Sequence, residues 1–170
     1  MMKLNVVQIT EQLAGYTSCS PTKKILKDTW RLVVPIMETA SDLFYKRLFQ
    51  LKPDYRKFFS PDMTSQKRKL MVTLAFVVKS ADWAADTWSE DVAQDNDLFL
   101  IVLALGRRHS MLYRIPEDSY PVVGESLIWA LHMGLGQAFT DPARAAWNKL
   151  YNQLALIMVM GSRQGTTSVA

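Results

Sequence analysis

Three side chains of this 170-residue chain combine reactive polar atoms with helical spacing: His109, Gln66 and Tyr45. His109 lies in LALGRRHSMLY, four residues after Leu105 and seven after Val102, so the three share one helical face. That face is apolar. A neutral imidazole on it is either a core histidine bonded to a carbonyl or an axial ligand to a buried cofactor. Gln66 precedes Leu70 and Leu74 in steps of four, a polar group at the edge of an apolar stripe. It is either an exposed helix-start glutamine or a buried amide that needs partners. Tyr45, flanked by Phe44 and Leu48, has the setting of a ring packed in the core whose hydroxyl finds one bond.

Other chemistries are poorly served. The two histidines, His109 and His132, cannot by themselves build a multi-histidine cage, and with the single cysteine, Cys19, they exclude a structural zinc site. One cysteine also excludes an intramolecular disulfide and makes a reducing, cytoplasmic compartment the expectation. The longest apolar run, Leu98 to Leu105, is far short of the roughly 18 residues a membrane span requires. The opening MMKLNVVQIT lacks the continuous apolar stretch of a signal peptide. Net charge is +4, but Ser80 to Asp97 holds six acidic residues and no basic one, leaving a basic remainder. Its lysines and arginines come in ones and twos, which reads as a solvated face and not as a nucleic-acid site.

The elements that must position these residues are all helices. Ser20-Pro21 reads as cap and first turn of a helix carrying Ile25, Leu26, Trp30 and Val33. A second follows Pro35 with Ile36, Ala40, Leu43, Phe44, Leu48 and Leu51, until Pro53 breaks it. Thr64 or Ser65 is the expected cap of the next. Further helices are expected over Leu98–Tyr113, Ser119–Phe139 and Asp141–Met160, the last opened by Asp141-Pro142. No period-two alternation is long enough for a sheet. The organisation is therefore an N-terminal extension (1–19), one all-α domain (20–161) with an acidic insert (80–97), and a flexible tail (162–170). Trp83, Trp88 and Val92 make the insert either a long connection or a docking surface for a basic partner such as a reductase.

The segments LFYKRLFQLKPDYRKFF (43–59), DMTSQKRKLM (62–71), LALGRRH (103–109), YPVVGESL (120–127) and AFTDPARAAWNKLY (138–151) come in an order that resembles the globin family. Within it they are similar to single-domain bacterial globins related to the haem domain of flavohaemoglobins. The resemblance covers about residues 22 to 160. It implies a globin fold, a 3-on-3 helical sandwich around one haem b, with an enlarged loop before the proximal helix. His109 would be the proximal ligand, Tyr45 and Gln66 the distal pair, and Leu70 the residue over the iron. Phe59 would pack on the haem and Leu105 support its proximal side, with Phe44, Tyr113, Tyr120 and Val123 completing the pocket. Lys69 and Arg108 would meet the propionates. The implied function is reversible binding of dioxygen, with carbon monoxide and nitric oxide as further ligands. The alternatives are nitric oxide dioxygenation with a separate reductase, or a sensing or regulatory module. Two departures bear on the proximal side. Tyr113-Arg114-Ile115 replaces the family's Tyr-Gly-Val, and Ser162 falls where flavohaemoglobins carry a buried glutamate, which lessens the imidazolate character expected of His109.

Overall fold

The computed structural model describes residues 20–80 and 97–166. The N-terminal extension and the insert's Trp83, Trp88 and Val92 lie outside the described residues. Among the described residues six α-helices follow one another: α1 Ser20–Val33, α2 Met37–Leu51, α3 Thr64–Lys79, α4 Asp97–Met111, α5 Ser119–Leu135 and α6 Asp141–Thr166. Short 3-10 turns cover Val34–Ile36, Pro53–Phe58 and Gly136–Ala138, and no strand occurs among the described residues. No helix among them is long and apolar enough to cross a membrane.

Each helix buries the stripe that its spacing dictates. α1 turns Leu26 and Val33 inward, α2 Ala40, Phe44 and Leu48, α3 Leu74, Val77 and Val78. Trp147 of α6 has no exposed surface and meets the ring of Trp30 at 6.2 Å, tying the first helix to the last. Breaks follow local chemistry. Lys52 N–H donates to Leu48 O at 2.9 Å, and Pro53, which has no N–H, starts a new turn. At Gly136 the backbone takes φ +55°, so α5 ends at Leu135, before the expected Phe139.

Three sequence expectations are corrected here. Neither Thr64 nor Ser65 caps α3: the Asp62 carboxylate, held below the usual carboxylate range by that same amide, accepts Thr64 N–H at 2.9 Å. Asp141 does not cap α6, because Thr140 Oγ1 accepts Ala143 N–H at 3.4 Å and Asp141 is already helical. The tail expected from 162 is helical through Thr166, and Ser162 is buried. A small hydroxyl that returns its proton to Val159 O at 2.8 Å can be buried without cost, which polarity counts along the sequence miss.

The closest helix pair is α4 against α6, and two glycines make it possible. A Cβ on Gly106 would lie 2.0 Å from Met158 O, and one on Gly161 2.0 Å from Leu103 O. Both obstacles are main chain, so no rotamer change relieves them. At Gly134 the nearest atom would be Ile36 Cδ1 at 3.1 Å, the free end of a flexible side chain. Gly106→Ala should therefore cost about 2 kcal/mol, a clash of about 3 less about 1 for better helix propensity, while Gly134→Ala stays within about 0.5. Urea unfolding of both variants checks the contrast.

Candidate functional site

Two clusters on different elements carry the polar groups. The first is built on α4 and the loop behind it. His109 is partly buried, and its Nδ1 is enclosed without a hydrogen-bond partner. Burial, and after it the Arg108 charge, hold the imidazole below the ordinary histidine value, so it is neutral at pH 7 and keeps a lone pair. Arg108 lies 5.9 Å over the Tyr113 ring, which is itself 6.0 Å from the His109 ring. The chain turns immediately afterwards, with Arg114 at φ +51° and Ile115 N–H donating to His109 O at 3.1 Å. The glycine of the usual Tyr-Gly-Val would take that φ freely, whereas arginine is strained there.

Glu117 anchors the far end of this loop. Its carboxylate accepts Arg163 Nε–H at 3.0 Å and Nη2–H at 2.9 Å, and Ser162 Oγ, whose proton is shared with the nearer Val159 O, lies 3.3 Å away. The Arg163 bond, against a smaller opposing effect of burial, holds the Glu117 carboxyl low. A carboxylate thus meets α6 beside Ser162, supplied by the loop. Ser119 Oγ–H donates to Tyr55 Oη at 2.9 Å, joining the start of α5 to the turn after α2. Tyr120 is buried with no partner for its hydroxyl, which burial and the Glu117 charge push up to about 12. Its main-chain oxygen accepts the Tyr151 hydroxyl, and the Tyr151 ring fills the space a Cβ on Gly124 would take, 2.4 Å from Cε1.

The second cluster is aromatic. Tyr45 is 5% exposed, and its ring packs edge-on against Phe44 at 4.9 Å and Phe59 at 5.5 Å, with Phe49 at 6.0 Å. Burial pushes the phenol up to about 12, outweighing its contact with Gln66. That contact is long: Tyr45 Oη lies 3.5 Å from the main-chain oxygen of Gln66, a weak bond that leaves the proton available to something better placed. Gln66 and Leu70 are half-buried on α3, and Leu70 and Val123 pack against the core. Leu105 is half-buried on α4, whereas Lys69 and Arg108 are exposed.

The structure thus brings Tyr45, Phe44 and Phe59 into ring contact and Gln66 beside them, and it gathers Arg108 and Tyr113 around His109. Sequence reasoning missed Arg56, Glu117, Arg163 and Tyr55. Arg56 had a local signal, since PDYRKFFSP must leave carbonyls unpaired after a short turn; the Glu117–Arg163 pair, 46 residues apart, had none.

Because burial keeps Tyr45, Tyr120 and Tyr151 protonated above the ordinary value of 10.0, the unfolded chain releases these protons first as pH climbs. Stability should hold up to about pH 10 and fall steeply from there toward 12. Tyr45→Phe should make that alkaline limb shallower by close to one proton in thermal melts across pH 8–11.

The comparisons with known proteins follow the same lines. Residues 42–158 match the globin family. The chain is 27% identical over 153 residues to neuroglobin from Chaenocephalus aceratus, covering 82% of this chain and 89% of that protein. It is 32% identical over 135 residues to the flavohemoprotein of Bacillus subtilis, 79% of this chain but 31% of the relative. The crystal structure of flavohemoglobin from Malassezia yamatoensis, with bound FAD and heme, superposes with a TM-score of 0.66 at 19% identity. That match covers 86% of this chain and 37% of the other, so this chain spans about a third of the length of the flavohemoproteins it resembles. With most of its helical region matched and all described elements helical, this chain belongs to the globin family and has the globin fold.

Proposed function

We infer that the chain binds one haem b through His109 and holds dioxygen reversibly beneath Tyr45 and Gln66, with carbon monoxide and nitric oxide as further ligands. The observation that carries this reading is the state of His109: neutral, desolvated, and lacking an internal partner at Nδ1. Among the described residues no group of three or more His, Cys, Asp or Glu could hold a metal ion. A metal taken by His109 must therefore bring its own equatorial donors, which an iron porphyrin does. His132 offers no competing site, being exposed with its Nδ1 3.2 Å from Arg144 Nη2.

Haem supplies the iron, four equatorial nitrogens and an open position for a diatomic gas. The chain's residues do the rest. His109 would hold the iron through an imidazole nitrogen. Tyr45 keeps its proton across the physiological range and can donate it toward a polar gas, with the Gln66 amide as second donor. Phe44, Phe49 and Phe59 exclude water from that hydroxyl, so each bond acts at low dielectric. Leu70 would lie over the iron, while Leu105, Tyr113, Tyr120 and Val123 line the rest, with Lys69 and Arg108 free to meet propionates. A single cysteine accords with a reducing compartment such as the cytoplasm.

The likeness to the Bacillus subtilis flavohemoprotein supports a second reading, dioxygenation of nitric oxide to nitrate, in which dioxygen is the oxidant and a separate reductase would return the iron to the ferrous state. Turnover of nitric oxide with a reductase present, absent without it, would establish it. For the gas-binding reading, Tyr45→Phe with Gln66→Leu should speed dioxygen dissociation by more than about tenfold. Two bonds of about 1 kcal/mol each are lost, and about 1.4 kcal/mol is one decade. Carbon monoxide, which is less polar, should change much less in the same flash-photolysis and stopped-flow measurements.

A further inference from the structure

Arg56 donates to three successive main-chain carbonyls, and neither the motifs nor the proposed gas chemistry uses it. Its Nη1 donates to Phe59 O at 3.1 Å and Ser60 O at 2.8 Å, and its Nη2 to Pro61 O at 3.2 Å. The Met63 sulfur lies 3.8 Å from Nη1. On its other side the guanidinium lies 5.5 Å over the Phe49 ring. Phe49, Phe59 and Tyr45 form a closed triangle of rings, with centroids 5.5, 5.5 and 6.0 Å apart. One planar cation therefore grips both the backbone that carries Phe59 and the face of a ring that touches Tyr45.

We propose that Arg56 is a positioning residue for the gas-binding side: by pinning residues 59–61 and covering Phe49, it fixes the ring triangle that aims the Tyr45 hydroxyl. This inference rests on the gas-binding reading given above. The physical case is one of geometry. The three carbonyls follow a 3-10 turn that ends at Phe58, where the backbone has no helical donors left for them. The three carbonyls are met from two nitrogens of one planar group whose face also covers the Phe49 ring; a lysine has three N–H groups but on a single nitrogen, so it cannot span the same acceptors and cover the ring together. Arg56 is exposed and its acceptors are neutral, so its removal leaves no buried charge behind. Without it the Phe59 segment gains freedom, and the Tyr45 hydroxyl loses a fixed wall. The bond to the gas is the quantity most sensitive to that alignment.

The test uses the full chain reconstituted with haem, as wild type, Arg56→Lys and Arg56→Ala. Haem content and the Soret band should be unchanged in both variants, since the axial side is untouched. Dioxygen dissociation should accelerate roughly fivefold in both, the order expected when one hydrogen bond loses alignment. The carbon monoxide stretching band should broaden in both. Guanidinium ion at low millimolar concentration should restore the rate in Arg56→Ala, whereas ammonium at the same concentration should not. Equal off-rates and identical stretching bands in the three proteins would overturn the proposal. So would rescue by ammonium, which would reduce the effect to charge. A wild type that takes up no haem defeats the gas-binding reading instead, and the positioning claim is then read in the haem-free chain. There the Tyr45 titration should fall from about 12 in Arg56→Lys, and an unmoved titration refutes it.

Discussion

The rest of the molecule depends on how closely α4 approaches α6. Gly106 and Gly161 let the two backbones touch where any side chain would meet main-chain oxygen at 2.0 Å. His109 is one turn beyond Gly106, so this crossing sets how deep the imidazole is held and how little solvent reaches it. Depth in turn decides chemistry. Burial lowers the proton affinity of the ring and leaves one nitrogen with a lone pair, which a ligand requires. A looser crossing would leave an ordinary surface histidine, half charged in mildly acidic solution.

The two polar clusters use burial in opposite ways. On the α4 side it removes a proton from a base; on the α2 side it keeps a proton on an acid, with Tyr45 pushed up to about 12. One low-dielectric interior thus yields an acceptor and a donor at the same pH, with the Arg108 charge adding to burial at His109. Charges remain at the periphery, where Glu117 and Arg163 brace the loop behind His109 and Arg56 braces the turn before α3. These ions restrain backbone, and their half-exposed positions spare them the cost of full desolvation.

The helices were legible because their apolar residues recur at helical spacing, and the ends marked by Pro53 and Ser119 match the structure. Ends set by hydrogen bonds were not. Asp62 and Thr140 act one or two residues before the positions that residue preferences favour. Past Met160, α6 continues through Ser162 and Arg163, which meet Glu117 in a contact across 46 residues that no local pattern encodes. For the candidate site, spacing and likeness singled out residues 45, 66 and 109 but could not give the direction of their atoms. That Tyr45 meets the backbone of Gln66, and that Ser162 faces a loop carboxylate, are facts of tertiary packing. The departure at Tyr113-Arg114-Ile115 was visible; its consequence, an arginine at φ +51°, required the fold.

The central claim is that His109 is the axial ligand of a haem. The most direct measurement is titration of the purified chain with haem, followed in the Soret region, for wild type and His109→Ala, with helicity checked by circular dichroism. Wild type should saturate at one haem per chain with a sharp Soret band, and the variant should keep its helicity while losing the band. An equal band at equal stoichiometry in the variant, or none in wild type, would contradict the account.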